Sequence, residues 1–242
     1  RGRGGLLAGG LGRDRTGDRI GKRLDGEAPD LAVEDRVVRG PVDLVDPPVI
    51  GLAVFEQAFR IVLSVRLALA NQQALRQCMG FLAEEPPVLV DWLPWNHTFG
   101  GNHNVGLTLY NGGTLYIDDG KPTPKGIATT LRNLREISPT VYFNVPKGFE
   151  EIAFAMDSDT VLRDSLFKRC KAFMFAGAGL SQAVWDKLDA HGEAAVGERV
   201  RIITGLGMTE TAPSCTFAVG TDVRSGHIGL PVPGVEAKLV KD

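Results

Sequence analysis

From about Asn71 onward the chain alternates short apolar runs with longer stretches of helical periodicity, and this alternation restricts the folds open to it. Strand-like runs lie at Pro87-Val88-Leu89-Val90-Asp91, Thr114-Leu115-Tyr116-Ile117, Thr140-Val141-Tyr142-Phe143, Ala172-Phe173-Met174-Phe175 and Arg199-Val200-Arg201-Ile202-Ile203. Between them, Ile127, Leu131, Leu134 and Ile137 recur on one helical face, with Thr123-Pro124 as the expected start and Pro139 as the stop. A second helix is expected after Ser181, whose hydroxyl suits an N-cap, with Val184, Trp185 and Leu188 as its apolar stripe. Strand-helix alternation of this kind predicts an α/β fold with a largely parallel sheet and flanking helices, in which ligands gather beyond the carboxyl ends of the strands.

Two glycine turns fall at such ends. Gly205-Leu206-Gly207-Met208-Thr209-Glu210-Thr211 follows one strand-like run, and Phe175-Ala176-Gly177-Ala178-Gly179-Leu180-Ser181 closes another. A turn without a Cβ lets backbone approach a phosphate, a threonine hydroxyl can donate to phosphate oxygen, and a neighbouring carboxylate can hold Mg²⁺. Asp118-Asp119-Gly120-Lys121 also puts acidic residues beside a glycine, but after a strand this reads as a turn and receives no role.

Charge and cysteine usage remove several classes of function. The 27 basic and 29 acidic residues leave a net charge of -2, which gives no global attraction to nucleic acid or to an anionic membrane. No run approaches eighteen uninterrupted apolar residues; Phe55 to Ala70 comes nearest, and Glu56, Arg60 and Arg66 interrupt it. No membrane span is expected. The three cysteines, Cys78, Cys170 and Cys215, lack both zinc-site spacing and the even count of a secreted disulfide framework, so the expected location is the reducing cytoplasm. Nothing in the sequence sets an oligomeric state.

Residues 1–70 read differently, as an irregular segment rich in Gly, Arg and Asp. Interspersed Asp14, Asp18, Asp25 and Asp30 neutralise its arginines and aromatic residues are absent from its opening, which argues against an RNA-binding arm. The expected division is therefore 1–70, irregular, and 71–242, a folded α/β unit.

Four segments, in order, resemble the adenylate-forming acyl-CoA synthetases. Leu93-Pro94-Trp95-Asn96-His97-Thr98-Phe99-Gly100-Gly101 looks like the family's substrate-side loop, the 175–181 turn like its adenine-side turn, and the 205–211 segment like its signature motif. Gly226-His227-Ile228-Gly229-Leu230-Pro231-Val232-Pro233-Gly234-Val235-Glu236 resembles the stretch that follows the signature. Within the family, Trp95 to Asn102 together with Leu109-Tyr110-Asn111-Gly112-Gly113 looks most like feruloyl-CoA synthase and its relatives. The resemblance implies that residues 71–242 are the central part of the large N-terminal AMP-binding domain. It implies an ATP-dependent reaction in which a small carboxylic acid becomes an acyl-adenylate with release of pyrophosphate, and CoA then displaces AMP. ATP, Mg²⁺ and CoA are the implied cofactors.

Carried over by position, Thr209 would contact phosphate and Glu210 would hold Mg²⁺, while Gly205, Leu206, Gly207 and Met208 shape the turn around the nucleotide. Leu206 stands where many relatives have an aromatic residue, and Gly179 where many have proline. Gly177, Ala178 and Gly179 would present backbone along the adenine, and His97 would line the acyl pocket and gate it between half-reactions. His103 is expected at the surface or a helix end. The family's Ser/Thr/Gly-rich phosphate loop has no counterpart in residues 60–70, which suggests a frame error or fusion upstream of Ala70. The family's ribose-binding aspartate, hinge and C-terminal lysine are likewise not matched, so the expectation is a partial synthetase that forms no thioester by itself. A non-catalytic nucleotide-binding or interaction fragment is the alternative.

Overall fold

A computed structural model describes residues 65–240. The irregular segment expected over 1–70 therefore lies, up to residue 64, outside the described residues, as does the start of the stretch expected to carry a phosphate loop. Its last residues, 65–70, are helical: a first helix, α1, runs over residues 65–78. It buries Ala74 and Leu75 on one side, while Asn71 Oδ1 accepts from the Ser214 amide at 3.2 Å.

Five parallel strands form the frame: β1 (Val88–Asp91), β2 (Thr114–Ile117), β3 (Val141–Asn144), β4 (Ala172–Phe175) and β5 (Arg201–Ile203). β1 pairs with β2, and β3, β4 and β5 pair in that order, all parallel. The two ladders meet at Thr140, whose amide donates to the Val88 carbonyl at 3.0 Å and whose hydroxyl accepts from the Val88 amide at 2.8 Å. The strand order is thus β2-β1-β3-β4-β5. Chain direction across the sheet reverses between β1 and β3, the place where doubly wound sheets open a crevice at their carboxyl ends.

The helices are short and follow the strands: α2 (Gly106–Tyr110), α3 (Ile127–Glu136), α4 (Pro146–Ala155), α5 (Thr160–Phe167) and α6 (Gln182–Val196). α6 begins as expected, with the Ser181 hydroxyl accepting from the Val184 amide, and it ends at Gly197, whose φ of 79° suits a residue without a Cβ. α3 begins three residues later than Pro124 suggested. Residues 124–126 form a turn in which the Thr123 hydroxyl accepts from the Gly126 amide at 3.1 Å, so threonine caps the turn and not the helix.

Every residue of β3 and β4 is buried. Both faces of the central strands are covered, as parallel sheets require, so Tyr142, Phe143, Phe173 and Phe175 fill the core without the alternation of a half-exposed sheet. One core cluster packs α3 to α6 against Tyr142, Phe173 and Phe175. The other lies on the opposite face and packs Leu75, Leu89, Leu107, Phe143, Met174 and Phe217. Asp118, at the end of β2, accepts from the Gly120 amide, the Thr130 hydroxyl and the Asn133 side chain, which makes it the anchor of a turn that ties β2 to α3.

Candidate active site

The segment 204–218 is a small hairpin. Leu206 accepts from the Cys215 and Thr216 amides at 3.0 Å each, Ala218 donates to the Thr204 carbonyl at 2.8 Å, and Met208 donates to the Pro213 carbonyl at 3.0 Å. Its tip is one 3₁₀ turn, Thr209–Thr211. The Thr211 hydroxyl accepts from the Met208 amide at 3.1 Å and closes the tip from within, whereas Thr209 and Glu210 are exposed. The hairpin continues into a two-residue antiparallel pair, β6 (Thr216–Phe217) with β7 (Leu230–Pro231).

Backbone contact explains two of the glycines. A Cβ on Gly205 would overlap the Thr216 carbonyl, and one on Gly207 would press on the Pro213 carbonyl, so both are demanded by the returning arm of the hairpin. Gly177 and Gly179 differ, since a Cβ on either would meet no atom within 4 Å. Gly177 has φ of 91°, a left-handed conformation that other residues enter at a cost. Its turn leaves backbone facing open space.

The substrate-side loop leaves β1 through Trp92 and Leu93 and enters a π-helical stretch, Phe99–Val105, in which the His103 amide donates to the Thr98 carbonyl at 3.0 Å. Wide turns of this kind recur at functional sites. His97 is exposed, and its Nδ1 accepts from the Phe99 amide at 3.1 Å, which places the proton of the neutral ring on Nε2.

These segments enclose one cavity of about 580 Å³ beyond the carboxyl ends of β1, β4 and β5. His97 lines it from one side, Gly177, Ala178 and Gly179 from a second, and Gly205, Leu206, Gly207, Met208, Thr209 and Glu210 from a third. All ten residues singled out in the sequence thus meet at one place. The volume lies within the range of small-ligand sites. A second hollow, of about 430 Å³, lies behind the Gly177–Gly179 turn against Val145 and Pro146.

Sequence reading missed part of the wall. Gly226, His227 and Ile228 line the cavity, because Gly229, with φ of 77° and no room for a Cβ beside Phe217, brings that loop against the hairpin. His103 is the larger omission. Expected at the surface or a helix end, it lies in the last turn of the π-helical stretch but is 1% exposed and forms part of the cavity wall, with the rings of Phe99, Phe143 and Phe217 edge-on to it at 5.3, 4.9 and 6.3 Å between centroids. Its spacing was a usable signal: Phe99, His103 and Leu107 recur every four residues, and all three face the core.

Beneath His103 lies a buried polar chain. His103 Nδ1 is 2.8 Å from Asn104 Oδ1, and Asn104 is fully buried. Asp91, 3% exposed at the end of β1, accepts from the Leu93 amide at 3.1 Å. Burial pushes the Asp91 carboxyl up to about 6, against the pull of the Leu93 amide and the Asn104 side chain. The Asn104 amide faces that carboxyl, although neither Asn104 Nδ2 nor Asp91 Oδ2 closes a hydrogen bond of good geometry. Burial holds His103 down at about 4, opposed by its contact with Asn104, so the ring is neutral at neutral pH.

Nucleotide and metal fit this wall by its own chemistry. The open backbone of Gly177–Gly179 offers a flat edge to a purine, and a single exposed carboxylate, Glu210, suits an ion held mainly through phosphate oxygens. No group of three or more His, Cys, Asp or Glu side chains forms a metal site among the described residues. Nor is any helix among them long and apolar enough to cross a membrane.

A parallel α/β sheet with one cavity across its switch point and glycine turns on the cavity wall defines a small-ligand enzyme domain of the nucleotide-handling kind. The chain belongs to the AMP-binding enzyme family, whose model matches residues 61–242. It is 29% identical over 146 residues to long-chain-fatty-acid-CoA ligase 1 of Cavia porcellus, covering 47% of this chain and 21% of that protein. It is 26% identical over 185 residues to long-chain-fatty-acid-CoA ligase 6 of Mus musculus, covering 63% of this chain and 26% of that one. Among solved structures, a malonyl-CoA ligase with methylmalonyl-CoA and AMP bound superposes with a TM-score of 0.54 at 27% identity, over 71% of this chain and 34% of the other. The chain therefore spans about a quarter of the length of the curated relatives it matches.

Proposed function

We propose that the chain carries the nucleotide- and acid-binding face of an ATP-dependent acyl-CoA synthetase of the feruloyl, other aryl or long-chain acyl type. In the whole enzyme a carboxylate attacks the α-phosphate of ATP, pyrophosphate leaves, and the CoA thiol then displaces AMP from the acyl-adenylate. The observation that carries this reading is the convergence of His97, the 177–179 turn and the 205–210 hairpin arm on one cavity.

The reaction asks for positioning and charge neutralisation more than for covalent help from the protein. Thr209, at the exposed hairpin tip, would donate to a phosphate oxygen. Glu210 beside it would hold Mg²⁺, which when bound neutralises charge on the phosphates. The Gly177–Gly179 backbone would lie along the adenine, and Leu206 would give it an aliphatic contact. His97, with its Nε2–H free of the backbone contact made by Nδ1, would gate the passage between acid and nucleotide.

Titration of the full chain with Mg-ATP tests the reading. Saturable binding is expected, with the Mg²⁺-dependent part of the affinity lost in Glu210→Gln and the metal-free part retained. Acid-dependent exchange of pyrophosphate into ATP separates a competent adenylating site from one that binds nucleotide without turnover. Absence of saturable Mg-ATP binding by the folded chain sinks the reading.

A further inference from the structure

The loop that carries Gly226, His227 and Ile228 along the cavity is fixed at both ends. Ser225 donates its hydroxyl to the Leu180 carbonyl at 2.6 Å and its amide to Gln182 Oε1 at 3.3 Å, at the foot of the Gly177–Gly179 turn. On the hairpin side, the Thr216 hydroxyl donates to the Ile228 carbonyl and accepts from the Leu206 amide at 3.1 Å, so one hydroxyl ties the loop to the 205–208 arm. Between these anchors the His227 amide donates to the Arg224 carbonyl at 3.1 Å, and Gly226 and Gly229, with φ of 90° and 77°, turn the chain before and after His227 and Ile228. His227 is thus held between the two glycine turns. Of the rings along the cavity wall, Phe99, His103, Phe175 and Phe217 are buried, while His97 and His227 are exposed. His97 belongs to the β1 loop, which leaves His227 as the exposed ring on the side of the glycine turns.

We propose that the His227 imidazole stacks on the base of the nucleotide and forms one face of a slot whose opposite wall is the open backbone of Gly177–Gly179. The inference rests on the reading of this cavity as a nucleotide site and adds to it a residue that holds the base. A purine presents two flat faces. Glycine backbone and the aliphatic Leu206 supply contact without a ring, so a second face left to water would forgo the stacking that aromatic side chains give to bases. A neutral imidazole is flat, and it can lay its face on the base while its nitrogens stay in water. The contact is made to the base alone, so His227 contributes to nucleotide affinity and takes no part in the transfer of the acyl group.

The test is equilibrium titration of the full chain and of its His227→Ala and His227→Phe variants with Mg-ATP and with AMP, together with proton NMR of the 4 histidine rings as AMP is added. His227→Ala is expected to weaken both nucleotides by about fivefold or more, and His227→Phe, which keeps a flat ring, to stay within about twofold of the native chain. AMP is expected to move the ring protons of His227 upfield, through the ring current of a stacked purine, by more than those of any other histidine. Loss of the resonance in His227→Phe assigns it. Equal nucleotide affinity in the native chain and His227→Ala overturns the inference. So does an equal loss in the Ala and Phe variants, or a His227 resonance that AMP leaves in place. Absence of Mg-ATP binding by the native chain removes the nucleotide reading and this inference with it, whereas binding indifferent to His227→Ala removes this inference alone.

Discussion

Asn104 places its amide oxygen 2.8 Å from Nδ1 of its neighbour His103, and this contact decides which nitrogen of a buried ring carries the proton. The same ring and the Asp91 carboxyl couple the fold to pH in opposite directions. His103 is held down at about 4 from an ordinary 6.5, so between those values the unfolded chain binds more protons and stability falls as pH falls. Asp91 is pushed up to about 6 from an ordinary 3.8, so between those values the folded chain binds more protons and stability rises as pH falls. The two largely offset each other between about pH 4 and 6. Asp91→Asn is expected to lose more of its thermal midpoint between pH 7 and 5 than the native chain, and His103→Phe less. Identical pH profiles for all three would refute the coupling.

Gly177 and Gly179 line the same turn but differ in what they tolerate. Gly177 is left-handed, at φ of 91°, so Gly177→Ala is expected to lower stability by roughly 1 kcal/mol in urea unfolding. Gly179 has open space at its Cβ and no such conformation, so Gly179→Val is expected to shift stability by about 0.5 kcal/mol or less. If adenine lies along this turn, Gly179→Val nevertheless weakens Mg-ATP binding. Unchanged affinity would move the adenine elsewhere.

Phe173 stands edge-on to Phe149 at 5.6 Å and to Phe167 at 5.2 Å between ring centroids, at the centre of the cluster that joins β4 to α4 and α5. It is 1% exposed. Phe173→Ala is expected to cost about 3–5 kcal/mol, measured as a fall in the denaturant midpoint, because the surrounding rings cannot collapse into the space. A loss below about 1 kcal/mol would mean that this cluster is not the rigid core described.

Asp159 caps α5, accepting from the Leu162 amide at 2.9 Å, and also accepts from Arg135 Nε at 2.6 Å, which ties α5 to α3. The Leu162 amide foremost, and Arg135 with it, hold its carboxyl below the ordinary carboxylate value. Its contribution is therefore present above the ordinary value and lost as pH falls through the folded one. Asp159→Ala is expected to cost about 1 kcal/mol at pH 7 and progressively less in acid. A deficit that stays constant down to pH 3 would show that the cap is not electrostatic.

Strands and helices were legible in the chain because they are written in local pattern. Ala172 to Phe175, Thr114 to Ile117 and the Ser181 cap stand where apolar runs and turn chemistry put them, and the glycine turns stand at strand ends for the same reason. Those features depend on neighbours within a few residues. Thr123-Pro124 misled by three residues since a good helix start is also a good turn, and local signals do not choose between them.

What tertiary structure alone decided is which groups face one another. Gly205 and Gly207 read as a ligand cradle, yet the returning arm at Pro213 and Thr216 already requires them, a contact made only when the hairpin closes. His103 read as a surface or helix-end histidine; it does stand in the last turn of the π-helical stretch, yet the packing of Phe143 and Phe217 carries it inside. Which of its nitrogens carries the proton depends on Asn104 beside it. The spacing of Phe99, His103 and Leu107 hints at an inward face, but the rings of Phe143 and Phe217 that close over His103 come from strands far along the chain, and no local pattern names them.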